Sequence, residues 1–229
     1  MRNVAAILFT GGLGFLLLVI ASQLGLGEPP MRVGQGILDV AATEVGAANI
    51  VTSVLLAYRG LDTLGELSIL FAAATAAGLV LGQRRASAAP DPEAGFILRA
   101  GADLLFPLLL VVGFYIILHG HLTPGGGFQG GVILAAAFFI GVLARPAESL
   151  DHTAIVVIEG LAGAAFIGIG LWALLADGEV LKPMLGTGTL GTLVSAGTLP
   201  LLSLAIGLKV GSELAGLMTS LSGTEAREP

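Results

Sequence analysis

The residues of this 229-residue chain best suited to chemistry are a few ionisable side chains set in apolar surroundings. Asp62 and Glu66 stand four apart, so on a helix both carboxylates share one face and could pass a proton or a Na⁺ ion between them. The same residues also read as a helix start. Thr63-Leu-Gly-Glu66 has capping-box form, which satisfies N-terminal backbone donors with no role in transport. Glu159 lies among Ile, Val, Gly and Ala with no basic residue one turn away. Its partner must therefore come from another helix or another chain, a setting that suits a proton carrier unless the residue is simply hydrated at headgroup depth. Lys209 and Glu213 are one turn apart. They either neutralise each other locally, or Lys209 reaches inward as one station of a charged axis. Asp103, with Arg99 one turn before it, has the spacing of a structural pair near the interface.

Two glycine- and proline-containing strings stand out beside these charges. His119-Gly-His-Leu-Thr-Pro-Gly-Gly-Gly-Phe-Gln-Gly-Gly131 contains His119, His121, Pro124 and Phe128. Two imidazoles without a third ligand make a poor metal site. With no Lys-Ser/Thr after it and no strand before it, the glycine run is not a phosphate loop. Its glycines favour tight turns and close helix contact, and residues 125–131 are expected to form a structural turn into the next helix, with Phe128 facing a neighbour. In Ser195-Ala-Gly-Thr-Leu-Pro200, the proline should kink or break a helix predicted over Leu190–Met218, freeing carbonyls at membrane depth.

The elements that must hold these residues are membrane helices. Hydrophobic residues make up 55% of the chain and charged ones 11%, against about 25% charged in soluble domains. Mean hydropathy is +0.95. The chain has no cysteine, which excludes disulfides, thiolate zinc, iron–sulfur ligation and a cysteine nucleophile within it. The net charge of −6 comes without a basic block for nucleic acid.

A span needs roughly 20 mostly apolar residues. Val4–Ser22 reads as a retained helix and not as a removed signal peptide, because no small-residue cleavage site follows it. A short second segment, Val45–Tyr58, can lengthen backwards through Ala41–Glu44. After a polar corner at Arg59–Glu66, Leu67–Leu81 is the third. Gln83–Glu93, charged and carrying two prolines, reads as a linker. Ile97–His119, Phe128–Leu143, Thr153–Leu175 and Leu190–Met218 complete the set. The expected fold is an all-α polytopic bundle of about seven spans, in a range of 6 to 8. Its division is a membrane unit over 1–83, a linker over 84–95 and a second membrane unit over 96–229. Arg32, Arg84, Arg85, Arg99, Arg145 and Arg227 collect on one face, which the positive-inside rule makes cytoplasmic.

At this point the strings resemble known families. Asn49-Ile-Val-Thr-Ser-Val-Leu-Leu-Ala-Tyr-Arg-Gly-Leu-Asp-Thr-Leu-Gly-Glu66 is similar to the C-terminal end of the A-type subunit of the multisubunit Mrp (Mnh) cation/proton antiporters. It is equally similar to the small E-type subunit of membrane-bound hydrogenases. The His119–Gly131 string and Gly191-Thr-Leu-Val-Ser-Ala-Gly-Thr-Leu-Pro200 resemble the B-type subunit of Mrp and the F-type hydrogenase subunit. The resemblance runs from about residue 37 onward and implies a fusion of the two units.

The resemblance implies a non-redox subunit of a large assembly related to the membrane arm of respiratory complex I. Na⁺ and/or H⁺ would be the transported ions, with other membrane subunits and the bilayer as partners, no nucleic acid and no cofactor of its own. Its location would be the cell membrane. Carried over by motif, Asp62 and Glu66 become ion-path candidates, and Pro124, Phe128 and Pro200, with His119 and His121, line or shape the path. Glu159, Lys209 and Glu213 rest on the argument from intramembrane charge. An antiporter subunit, the ion-pumping arm of a hydrogenase-like redox complex, and a structural spacer remain the competing readings.

Overall fold

The computed structural model describes residues 2–23, 32–84, 94–145 and 150–222, all of it helix, turn or irregular backbone. Backbone contacts group the chain into Met1–Gly36 and Ile37–Pro229. The first contains α1 (Arg2–Gln23), apolar from Ile7 to Gln23. The linker expected over 83–93 lies outside the described residues from 85 onward.

The second unit begins inside α2 (Arg32–Val45). Gly46 then takes φ +75°, and a Cβ there would sit 2.5 Å from the Thr187 carbonyl oxygen, so glycine is required on both counts. The chain turns by 91° into α3 (Ile50–Ser53), which runs on as a π-helical turn over Val54–Tyr58. This corrects the expected second segment: Val45 closes one helix, and Val45–Tyr58 is not continuous. Asn49 starts the new helix by accepting hydrogen bonds from the backbone N–H groups of Val51 (3.1 Å) and Thr52 (3.3 Å).

Arg59 alone separates the π turn from α4 (Gly60–Arg84), so the polar corner is shorter than expected. Thr63 is already inside α4, and its hydroxyl donates to the Leu55 carbonyl at 2.8 Å, satisfying an acceptor of the π turn. It does not cap the helix, so the capping-box reading of Thr63–Glu66 fails.

The remaining spans are α5 (Phe96–Leu118), α6 (Gly127–Ala144), α7 (His152–Asp177) and α8 (Leu199–Ser222). Asp151 caps α7 through Thr153 and Ala154, and Gly178 closes it in the left-handed conformation. Residues 190–198 are turns, correcting the helix expected from Leu190. Pro200 stands in the first turn of α8, where its missing N–H leaves nothing unsatisfied; it starts the helix instead of breaking it.

Among the described residues, five helices (α4 to α8) are long and apolar enough to cross a membrane, and the bent pair around residues 46–49 makes a sixth candidate. With the shorter α1, these correspond to the seven apolar segments of the sequence. α8 is the central element, packing against α4, α5, α6 and α7. Its apolar face joins Phe166, Leu67, Leu202, Ile206 and Val210 in one buried cluster. Small residues bring the helices close. A Cβ on Gly127 would meet the Ser203 carbonyl oxygen at 2.5 Å, and one on Gly131 the Gly207 carbonyl oxygen at 2.8 Å.

Candidate functional site

The intramembrane charges converge on α8. Lys209 Nζ donates to Glu159 Oε1 of α7 at 3.1 Å and lies 3.3 Å from Glu213 Oε2, one turn along its own helix. Lys209 thus pairs locally with Glu213 and also crosses to α7. The side chains are largely buried, with relative exposures of 12% for Lys209, 19% for Glu159 and 3% for Glu213. Glu213 faces Lys209 without a hydrogen-bonding alignment, leaving both its carboxylate oxygens without a hydrogen-bond donor among the described residues.

Phe71 of α4 completes the surround, its ring centroid 4.9 Å from the ammonium in a cation–π contact. Nothing in the spacing of the sequence singles out Phe71, because it is one of many apolar residues on α4. The formal charge of two carboxylates and one ammonium is −1. In a low-dielectric interior that surplus is costly unless a cation or a proton offsets it. The arrangement can therefore hold one exchangeable positive charge.

The other carboxylates stand elsewhere. Asp62 accepts from Arg59 Nε at 2.6 Å in an exposed pair at the start of α4. Glu66, one turn on, is exposed on the flank of α4. The two acids share a helix face as expected, but they do not meet the Glu159–Lys209–Glu213 group. Asp103 is bridged by Arg145 Nη2 at 2.8 and 2.9 Å, a contact from the end of α6 that its spacing from Arg99 does not reveal.

The histidines do not converge on a common point. His119 caps the end of α5 and stacks on Tyr115, ring centroids 4.1 Å apart. His121 is fully buried, with Nε2 3.4 Å from the Thr192 carbonyl oxygen and Nδ1 without a partner among the described residues. Burial pushes the His121 pKa below the ordinary histidine value. Among the described residues no group of three His, Cys, Asp or Glu is placed to hold a metal.

The loop instead serves as a docking point. Asn49 Nδ2 donates to the carbonyls of Gly120 (2.8 Å) and Thr123 (2.9 Å), and Thr52 Oγ1 donates to Gly120 at 2.7 Å. Asn49 is not among the candidates read from the sequence, although it opens the recognised string; an amide at the start of a short helix is the available signal. Pro124 is exposed in the loop, while Phe128 packs against the buried cluster of α8, facing a neighbour as expected. The turn itself is only Gly125–Gly126, since α6 begins at Gly127.

The chain is similar to several known proteins. The uncharacterised protein MJ1307 of Methanocaldococcus jannaschii is 30% identical over 83% of this chain and 82% of its own length. A probable K⁺/H⁺ antiporter A/B subunit of Rhizobium meliloti is 26% identical over 75% of this chain, which spans only 20% of that protein. A chain of the membrane-bound sulfane sulfur reductase, an archaeal respiratory membrane complex, superposes with a TM-score of 0.80 at 38% identity, covering 96% of this chain and 97% of that one. A chain of the Mrp complex from Dietzia sp. DQ12-45-1b superposes with a TM-score of 0.76 at 29% identity, covering 99% of this chain and 26% of its own length. Residues 97–216, over half of the chain, match the family described as a domain related to the MnhB subunit of the Na⁺/H⁺ antiporter, and the chain belongs to that family.

Proposed function

We propose that the chain is a multi-pass, non-redox subunit of a multisubunit cation/proton translocating complex of the Mrp antiporter type, resident in the cell membrane. On this reading Glu159, Lys209 and Glu213 carry the exchangeable charge. The observation that carries it is the surplus negative charge of the buried group, held between three helices of a chain whose relatives are antiporter subunits. Asp62 and Glu66 form a separate station on α4. The unit before residue 84 is read as an A-tail fused to a B-type unit. The Rhizobium A/B protein supports this, because its alignment reaches well beyond the length of the matched B-type domain.

Na⁺/H⁺ exchange by the purified complex in proteoliposomes tests the reading. Glu213→Gln removes the exchangeable charge while keeping shape, so exchange should be lost with assembly intact. Normal exchange by an assembled Glu213→Gln complex overturns it.

A second reading is favoured by one observation. The sulfane sulfur reductase chain matches this one nearly end to end, whereas the aligned Mrp chain is much longer. The same membrane unit would then serve the ion-pumping arm of a redox complex, whose redox centres belong to partner chains. Iron content and sulfur- or hydrogen-dependent electron transfer by the purified complex separate the two.

A further inference from the structure

Beside the charged group lies a cavity of about 180 Å³ between α4, α7 and α8. Its lining runs from Phe71, Glu159 and Glu213, beside the ammonium, to Gly78, His152 and Ser220, with Phe71, Thr75 and Val156 exposed along its flank. Gly78, His152 and Ser220 lie late in α4, at the start of α7 and near the end of α8, so one membrane face is reached at all three helices. From Glu159 to His152 is seven residues, about 10 Å of helix. The volume is enough for about six waters at ~30 Å³ each, and Thr75, His152 and the two carboxylates supply polar partners.

The other side of the group is different. One and two turns back along α8 from Lys209 come Ile206 and Leu202, both buried. Leu67 of α4 and Phe166 of α7 stand at the corresponding levels and belong to the same apolar cluster. The Lys209 stem passes Gly163, where a Cβ would be 3.5 Å from Lys209 Cδ. Above the ammonium the packing is close and apolar, while below it lies the cavity, which the two carboxylates, Thr75, His152 and Ser220 line among apolar residues.

We infer that the Glu159–Lys209–Glu213 group exchanges its cation or proton with water on one membrane face only, through this vestibule, and is sealed from the other face by the Leu67–Phe166–Leu202–Ile206 plug. The accessible face is the one where α7 begins and α6 ends at Arg145, the arginine-rich side that the positive-inside rule makes cytoplasmic. The inference rests on the proposed role of the charged group and adds the direction of its access. A group open on one side only cannot leak ions by itself. Its charge must leave either back through the vestibule or sideways to a neighbouring station when the plug rearranges.

The chain has no cysteine, so single cysteines can be placed without altering a native one. The intact complex, in inside-out and right-side-out vesicles, is treated with a charged, membrane-impermeant methanethiosulfonate, and modification is read on this chain. Ser220→Cys at the mouth and Thr75→Cys within the cavity should react in inside-out vesicles and not in right-side-out ones. Ala205→Cys, a small change inside the plug, should react in neither. Thr189→Cys, exposed on the loop between α7 and α8, should react only in right-side-out vesicles and so fixes the orientation. Reaction of Thr75→Cys from both faces, its protection from both, or reaction of Ala205→Cys overturns the inference. Labelling needs no transport. One-sided labelling combined with normal exchange by Glu213→Gln would leave the access standing and remove the proposed role of the group.

Discussion

The side-chain amide of Asn49 is bonded at both ends, its oxygen accepting from the first turn of α3 and its nitrogen donating to the carbonyls of Gly120 and Thr123. One residue thus caps a helix in the first recognised string and holds the glycine loop of the second. Asn49→Ala loses a cap worth about 1 kcal/mol and two hydrogen bonds worth about 1 kcal/mol each. A loss of roughly 2–4 kcal/mol is expected. Asn49→Asp keeps the cap but turns a carboxylate toward two carbonyls, and should be no better than alanine. Thermal inactivation of the purified complex measures both.

At Gly127, α6 and α8 pack closely. A methyl group there meets the Ser203 carbonyl oxygen and the Ile206 side chain at 2.5 and 2.6 Å, and backbone cannot yield as a side-chain tip does. Gly127→Ala is expected to destabilise by about 1–3 kcal/mol or more, and Gly127→Val to prevent assembly. A methyl group on Gly141, in the same helix, would have nothing within 4 Å. Gly141→Ala should be neutral or gain up to about 1 kcal/mol from helix propensity. The amount of chain recovered in assembled complex decides between them.

His121 gives a pH dependence of defined sign. Its pKa is lowered in the folded chain by burial, with His119 as a nearby like charge when protonated. As pH falls below the ordinary histidine value of about 6.5, the unfolded state takes up the proton first, so stability falls. Above that value the residue adds no slope. Melting temperatures of wild type and His121→Gln, followed from neutral to mildly acidic pH, should diverge in slope, with the glutamine variant flatter. Parallel curves would show that His121 is protonated in the folded chain as readily as in the unfolded one.

Glu66 separates transport from helix capping directly. It lies exposed on α4, and Thr63, its expected capping partner, bonds Leu55 instead. Glu66→Gln should therefore assemble normally and largely abolish coupled exchange, whereas Glu66→Asp should retain part of it, because an ion station needs a group that binds a cation or loses a proton. Exchange by the glutamine variant at the wild-type rate would remove Glu66 from the path.

Apolar run lengths alone made the class of this protein legible: seven segments appear in the sequence because every span must bring its own run of lipid-compatible side chains. The acids were legible for a related reason, since a charge in such a run is conspicuous by its cost. Glu159 required a partner from outside its own helix, and the basic residue that the fold supplies is 50 positions away. The sequence could not show which one, because helix periodicity describes a single helix and carries no information on neighbours. The packing of α7 and α4 on α8, with Gly163 of α7 beside the Lys209 stem, set that neighbourhood and so joined Lys209 to Glu159 and to Phe71. Local backbone signals mislead where tertiary contacts decide them. Gly46 ends α2 because it packs against Thr187, and Pro200 begins α8 because residues 190–198 are held as turns, in part by the Ala196 N–H bonded to the Thr187 carbonyl at 2.9 Å. Single-sided access to the charged group is wholly tertiary, for it depends on which three helices leave a gap below Lys209 and which side chains fill the space above it.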